Sequence, residues 1–360
     1  MRIFLFVGTI DALMSIVGYM YYRHNLPFGR TLAFGLLYLF MALGTAISVI
    51  LPQETPHFLL KLTAWIEGLW IAFCYYTLLL AILHLLCWLI SKTGNWQLPS
   101  AKISIIGLAF ICCFITWGSY RAFHPTVRTE SLVTEKLPQN AHYRIVFLTD
   151  LHMGRILGHD YAERLAARIN EQKPDFVVVS GDMLDERIFY VEEEDTLAAL
   201  AQIKAPVYMA FGNHDYLDEP LRWQQMLTDK GFYILRNTDT IIDNKIKITG
   251  IDDYSKNRTN DQLIRLADKN KEYYSILLDH QPRRMDAAAD AGYDLYLAGH
   301  THTGQLFPNR LVTKKMYKLD YGRTNFGNLT AITNNGYGFW GPPVRTEVAP
   351  EMVVLELRGK

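Results

Sequence analysis

The octapeptide AGHTHTGQ, Ala298 to Gln305, sets two histidines two residues apart among glycines and threonines, directly after the apolar run Tyr293 to Leu297. Imidazole does two jobs well near neutral pH: it moves protons and it binds metals. Four other apolar runs end in the same way. Asp150 and His152 follow YRIVFLT, Asp182 and Asp185 follow DFVVVSG, Asn213 and His214 follow PVYMAFG, and His280 follows YSILLD. Five of the eleven histidines fall in these clusters, so scattered turn residues are a poor account of them. Asp150, His152, Asp182, Asn213, His280, His300 and His302 form an oxygen and nitrogen set without thiolate, which suits Mn²⁺, Fe²⁺ or Zn²⁺. The set exceeds the about four ligands of one tetrahedral ion. Two ions sharing a carboxylate would use it fully, and pairs of ions roughly 3.5–4 Å apart suit in-line displacement at phosphorus.

Something must hold those groups together. Each run is rich in β-branched or aromatic residues and ends in a Gly, Asp, His or Asn cluster, which predicts strands; IKITGIDD predicts one more. HDYAERLAARINEQ, between the first two runs, has helical spacing, as does DTLAALAQI between the second and third. This βαβ alternation predicts an α/β sheet with crossover helices. It also puts the polar clusters at the carboxyl ends of strands, where α/β folds keep their sites.

The first 120 residues differ in kind. Apolar runs at 3–22, 31–51, 68–90 and 103–120 approach the roughly 20 residues that cross a bilayer. They predict a transmembrane domain of four helices over 1–120, then a connector over 121–142 carrying Pro125 and Pro138, then a catalytic domain over 143–360. The first run is long and lacks a small-residue cleavage site, unlike a signal peptide. Asp11 and Glu67 lie in or beside the runs; inter-helix bonding or an interfacial position accounts for them as well as function does. Arg23, Arg30, Lys92 and Lys102 on one face nearly balance Arg2, Lys61, Arg121 and Arg128 on the other. The loop LPQETPH, uncharged or acidic, tips the orientation toward an external catalytic domain. Cys74, Cys87, Cys112 and Cys113 all lie in the apolar runs, which excludes a cysteine-based zinc site in the polar part. Lys plus Arg equals Asp plus Glu at 36 each, so no basic face for nucleic acid is expected.

In order, D-x-H, GD-x-x-D, GNHD, a lone His and GH-x-H resemble the calcineurin-like metallophosphoesterases, over about Tyr143 to Lys360. ILLDHQP, GHTHTGQLFP and NNGYGFWGPPVR resemble the bacterial, often membrane-anchored branch of that family. The resemblance implies two β-sheets in a sandwich flanked by helices. It implies one metal on Asp150, His152 and His302, a second on Asn213, His280 and His300, and Asp182 bridging the two. His214 would be the proton donor to the leaving oxygen, oriented by Asp185. Thr303 stands where that branch usually has glycine, which puts the loop shape in doubt and not the ligands.

Arg155 and Arg345 are candidates for holding a substrate phosphate by a bidentate contact. Tyr337, Phe339 and Trp340 form either a lip at the site or bilayer interface, or hairpin packing. Together these features predict a membrane-bound hydrolase of P–O bonds, phosphodiester or pyrophosphate, using metal-activated hydroxide. A domain held near the bilayer favours lipid-linked or envelope substrates. Some family members split UDP-diacylglucosamine in lipid A synthesis. The alternative is a non-catalytic metal-binding interaction module on the same fold.

Overall fold

The computed structural model describes residues 2–52 and 54–360, without the side chains of 2–7, 45, 46 and 48–50. The Arg2 side chain and Gln53, both used above for orientation, lie outside the described residues. The chain forms two compact units, Met1–Tyr120 with Gly341–Thr346, and Arg121–Trp340 with Glu347–Lys360.

The first unit holds helices α1 (Arg2–Asn25), α2 (Leu32–Ile50), α3 (His57–Thr93) and α4 (Ser100–Ala122). Among the described residues, α3 and α4 are long and apolar enough to cross a membrane, and Leu32–Gly44 of α2 is a shorter apolar stretch. α3 starts at His57, well before the apolar run at Gly68. Lys61 and Glu67 interrupt hydropathy, yet both are good helix formers, so the helix outruns the greasy segment. At 1.5 Å per residue it is about 55 Å long, more than a hydrocarbon core of about 30 Å. Tyr22, Tyr38, Trp70 and Cys74 form the centre of this unit. Trp70 meets Tyr38 edge-on at 4.6 Å and donates Nε1–H to Ser15 Oγ at 2.9 Å. Asp11 is buried here too.

The second unit contains strands β1 (Thr126–Thr134), β2 (His142–Leu148), β3 (Phe176–Ser180), β4 (Val207–Ala210), β5 (Phe232–Ile234), β6 (Thr238–Ile242), β7 (Ile246–Gly250), β8 (Tyr274–Leu278), β9 (Leu295–Ala298), β10 (Gly322–Phe326), β11 (Leu329–Thr333) and β12 (Glu351–Gly359). Its main helices are α5 (His159–Glu171), α6 (Ile188–Glu193), α7 (Thr196–Leu200), α8 (Pro220–Asp229), α9 (Asp261–Leu266), α10 (Met285–Asp290) and α11 (Arg310–Met316). Two six-stranded mixed sheets result, in the orders β1-β12-β2-β3-β4-β5 and β10-β11-β9-β8-β7-β6.

Side chains alternate across each strand, so every central strand serves two cores. Ile145, Phe147, Phe176, Val178, Val353 and Leu355 of the first sheet meet Ile248, Ile276, Leu278, Leu295, Leu297 and Ile332 of the second, forming the filling of a sandwich. The opposite face of the first sheet, Val146, Leu148, Val177 and Val179, packs on α5, α7 and α8 through Leu165, Ile169, Leu200 and Trp223. The outer face of the second sheet, with Leu277, Tyr296 and Ala331, packs on Leu263 of α9 and on Met285 and Ala288 of α10. Burial on both sides explains why β3 and β8 are mostly apolar and buried at every position.

One expectation needs correction. The connector of 121–142 contains β1, which runs parallel to β12 from Thr126 opposite Glu351 to Thr134 opposite Gly359. Most of β1 is exposed or half-buried, and its strand partner lies more than two hundred residues later, so nothing local marks it as a strand.

Candidate metal centre

Each polar cluster occupies the turn after a strand: Asp150 and His152 after β2, Asp182 and Asp185 after β3, Asn213 and His214 after β4, His280 after β8, and His300 and His302 after β9. The backbone there is unusual. Asp150, His152, Asp182, His300 and His302 all have φ between 45° and 70°, the left-handed region that L-residues avoid at a cost of order 1–2 kcal/mol each. Five such residues in one place mark a site that the surrounding fold forces into shape. Two glycines let the turns close. A Cβ on Gly212 would sit 2.2 Å from Asp182 Oδ1, and one on Gly299 would sit 2.3 Å from Asp150 Oδ2.

The side chains converge in three groups. Asp150, His152 and His302 form the first, Asp182, His280 and His300 the second, and His152 with Asp185 and His214 a third that overlaps the first. In the first, His302 Nε2 lies 3.3 Å from Asp150 Oδ1 and 3.1 Å from His152 Nε2. In the second, His280 Nε2 lies 3.0 Å from Asp182 Oδ2 and 3.2 Å from His300 Nδ1. The first two groups adjoin, because Asp182 Oδ2 is also 4.0 Å from His152 Nε2 and Asp150 Oδ1 is 4.0 Å from His280 Nε2.

The hydrogen bonds around these groups decide which atoms stay free. His280 Nδ1–H donates to the Ser180 carbonyl at 2.8 Å, and His152 Nδ1–H donates to Asp185 Oδ1 at 3.1 Å. Both partners are acceptors, so each Nδ1 carries a proton and each Nε2 faces inward, as in metal-binding histidines. Asp150 Oδ2 accepts from Thr149 Oγ1 at 2.8 Å and from the His300 N–H at 3.0 Å, leaving Oδ1 toward the centre. Asp182 Oδ1 accepts the His214 N–H at 2.7 Å, leaving Oδ2 between the first two groups. Asn213 Oδ1 is buried and accepts no hydrogen bond among the described residues. A buried amide oxygen without a partner costs free energy, which a bound cation relieves. The donor set therefore fits divalent ions of the Mn²⁺, Fe²⁺ or Zn²⁺ kind.

Electrostatics point the same way. Burial pushes the Asp150 carboxyl up, but His302, His280 and His152 reverse this and hold it well below the usual range. For Asp182 burial is likewise overcome by His280 and His214, and its carboxyl is lowered. Burial acts against a charged His280, yet Asp182 and Asp150 drive its pKa well above the ordinary value. Burial and the charge of His280 lower His300 to about 4. Two buried carboxylates thus stay ionised and draw positive charge into the centre.

These features have counterparts in known proteins. The family model for calcineurin-like phosphoesterases matches residues 143–304. A metallophosphoesterase of Aquifex aeolicus is 31% identical over 244 residues, covering 65% of this chain and 92% of that protein. The chain belongs to the calcineurin-like phosphoesterase family. A metallophosphoesterase of Campylobacter jejuni is 29% identical over 279 residues, 75% of this chain and 73% of its own. The transmembrane protein with metallophosphoesterase domain of Danio rerio is 27% identical over 348 residues, 90% of this chain and 79% of its own. The chain is thus a metal-dependent phosphoesterase, and its N-terminal apolar helices agree with association with a membrane.

In this phosphoesterase His214 lies beside the first group, 4.7 Å ring to ring from His152. The orienting contact differs from the expected one. His214 Nδ1–H donates to the Asp185 main-chain carbonyl at 2.5 Å, while the Asp185 carboxylate is 3.9 Å away and holds His152 instead. Arg155 pairs with Glu186 at 2.6 Å and lies over the Tyr190 ring. Arg345 is fully buried in the segment Gly341–Thr346 of the first unit, where its N–H donates to Gly118 O. Tyr337 and Phe339 are 2% and 3% exposed and pack into the core with Tyr161 and Phe123. Trp340, 48% exposed and 6.1 Å from the His214 ring, is the one of the three left at the surface. Thr303 has φ 52°, the conformation that glycine adopts without strain.

The sequence reading missed Asp215, the last residue of GNHD. Its buried carboxylate accepts from the N–H groups of Asp182 at 2.8 Å, Gly212 at 2.9 Å, Met183 and Leu184 at 3.1 Å, and from Trp223 Nε1 at 3.1 Å. It ties the Asp182 turn to the Asn213 turn. The available signal was a carboxylate directly following a candidate ligand, Asn213, and the candidate proton donor, His214.

Proposed function

We propose that this phosphoesterase hydrolyses P–O bonds of a phosphodiester or pyrophosphate with two divalent ions. Asp150, His152 and His302 would hold one ion and Asn213, His280 and His300 the other, with Asp182 shared. The observation that carries this reading is the unpartnered Asn213 Oδ1, together with two converging imidazole pairs at strand ends. When bound, such ions lower the pKa of water and neutralise the charge that develops at phosphorus. The chain's own residues do the rest. His214 spends Nδ1–H on the Asp185 carbonyl, so Nε2 is the atom turned outward to deliver a proton to the leaving oxygen. Asp185 fixes His152, and Ser180 fixes His280. Asp215 holds the two central turns at one spacing.

We further propose that α1 to α4 make four crossings, so that the catalytic unit works on lipid-linked or envelope phosphoesters at the membrane surface. α3 and α4 support this by their length and hydropathy, and α2 by its shorter apolar stretch.

The decisive experiment replaces Asp182 with Asn in the full-length protein. Wild type should carry two Mn²⁺ per chain by elemental analysis and hydrolyse bis(p-nitrophenyl) phosphate. The variant should bind both ions more weakly, because each loses an anionic oxygen. One ion per wild-type chain, or full occupancy in the variant, would sink the shared-carboxylate assignment.

A further inference from the structure

Next to the second histidine group stands an arginine that the catalytic reading leaves unused. Arg283 is exposed, and among the described residues it has no carboxylate partner within ion-pair distance. The adjacent Arg284 is buried and donates to Asp279 at 3.1 Å, and Arg155, behind the first ligand motif, is held by Glu186.

Arg283 is nevertheless held in place. Its Nε–H donates to Gln281 Oε1 at 3.0 Å, and one Nη2–H donates to Tyr317 Oη at 3.2 Å. The guanidinium stands 4.6 Å from the Tyr317 ring centre and 5.4 Å from that of Tyr254, a cation on two aromatic faces. Gln281 is buried and is itself fixed, since its Nε2–H donates to Asp253 Oδ1 at 3.1 Å. Only one orientation of that amide gives a donor to Asp253 and an acceptor to Arg283. This support is joined to the centre at two points. Gln281 directly follows His280, and the buried Tyr317 ring lies edge-on to His300 at 6.1 Å.

Of the five guanidinium N–H groups two are spent, and three remain for an incoming anion. The Tyr317 hydroxyl accepts from Arg283, so its own hydrogen is also available outward. A fork of this kind suits the paired oxygens of a phosphoryl group. One aromatic ring separates it from His300, which puts it beyond a phosphoryl group held at the histidines.

We propose that Arg283, set on Gln281, Tyr317 and Tyr254, grips a second phosphoryl group of the substrate, next to the one being cleaved. The preferred substrate class is then diphosphate diesters and not simple phosphodiesters. This rests on the phosphoesterase reading of the neighbouring centre, and the test separates the two.

The probes are dimethyl phosphate and the P1,P2-dimethyl diester of methylenediphosphonate, a diphosphate diester analogue whose P–C–P bridge is not hydrolysed and which carries one more phosphoryl group. Their affinities are measured by calorimetry on the full-length, Mn²⁺-loaded protein in detergent. Wild type should bind the diphosphate analogue at least about tenfold more tightly, the scale of one charge-assisted hydrogen bond. Arg283→Ala should weaken binding of the analogue about 10–100-fold and leave dimethyl phosphate within about twofold. Arg283→Lys, which keeps the charge and loses the fork, should recover only part of the loss. Equal affinities in wild type, or equal losses for both probes, overturn the proposal. Turnover of bis(p-nitrophenyl) phosphate in the same samples tests the hydrolase reading alone. Turnover without a diphosphate preference sinks Arg283 only. A preference without turnover upholds Arg283 as an anion grip and sinks the hydrolysis.

Discussion

Replacing Asp215 with Asn should cost the catalytic unit both stability and metal. The carboxylate accepts five hydrogen bonds: Oδ2 takes the N–H groups of Asp182 and Gly212, and Oδ1 takes those of Met183, Leu184 and Trp223 Nε1. Burial, and then the charge of Asp182, raise its pKa to about 6, while the donors around it pull the other way. Every polar partner around it is a donor, so a carboxylic proton would have no acceptor there. An asparagine amide has one acceptor oxygen. Put in place of Oδ2, its NH₂ faces two buried N–H donors; put in place of Oδ1, it faces three. At least two buried donors are then unsatisfied, at about 1–3 kcal/mol each, a loss of about 2–6 kcal/mol. That is a large share of a typical 5–15 kcal/mol stability. For a unit of this size it lowers the melting temperature by roughly 5–20 °C. One orphaned donor belongs to Asp182, so the shared carboxylate shifts and metal affinity falls with stability. The assay is thermal unfolding by intrinsic fluorescence together with elemental analysis of the same preparation. A variant that melts within a degree of wild type and keeps its full metal content would refute the role given to Asp215.

Three further outcomes are expected. His214→Ala should lower turnover about 10²–10⁴-fold for an ester with a basic alkoxide leaving group and less for a p-nitrophenyl ester, with metal content unchanged; losing metal as well would make His214 a ligand. Chelation should lower the melting temperature and Mn²⁺ should restore it, by about 2.7 kcal/mol at 100 times the dissociation constant; a melting temperature indifferent to metal would show that the buried carboxylates need no cation. The full chain should sediment with membranes unless detergent is added, whereas a fragment starting at Arg121 should be soluble. A fragment starting at Arg144 should aggregate or melt lower, since it removes β1 and bares the edge of β12; equal behaviour of the two fragments would show β1 to be dispensable.

Much of the catalytic unit was legible in the residues themselves. Apolar runs ending in Asp, His or Asn marked β2, β3, β4, β8 and β9 because strands buried on both faces are mostly apolar, and the polar clusters come where the strands leave the core. The proposed metal-ligand set was chosen on side-chain chemistry, which is local to each residue. What the sequence left open depends on distance in space. β1 is a strand only because β12 lies beside it. Asp185 looks like the partner of His214, yet its carboxylate bonds to His152 and stands 3.9 Å from His214, whose Nδ1–H goes to the Asp185 carbonyl. Asp215 has its meaning only where the turns after β3 and β4 meet, because its five donors come from both. Arg155 and Arg283 are both arginines close behind a ligand motif, and sequence cannot rank them. Glu186 neutralises the first, while Gln281 and Tyr317 hold the second without cancelling its charge. Residue type settles which chemistry is available; tertiary structure decides which groups are spent on each other and which are left for a ligand.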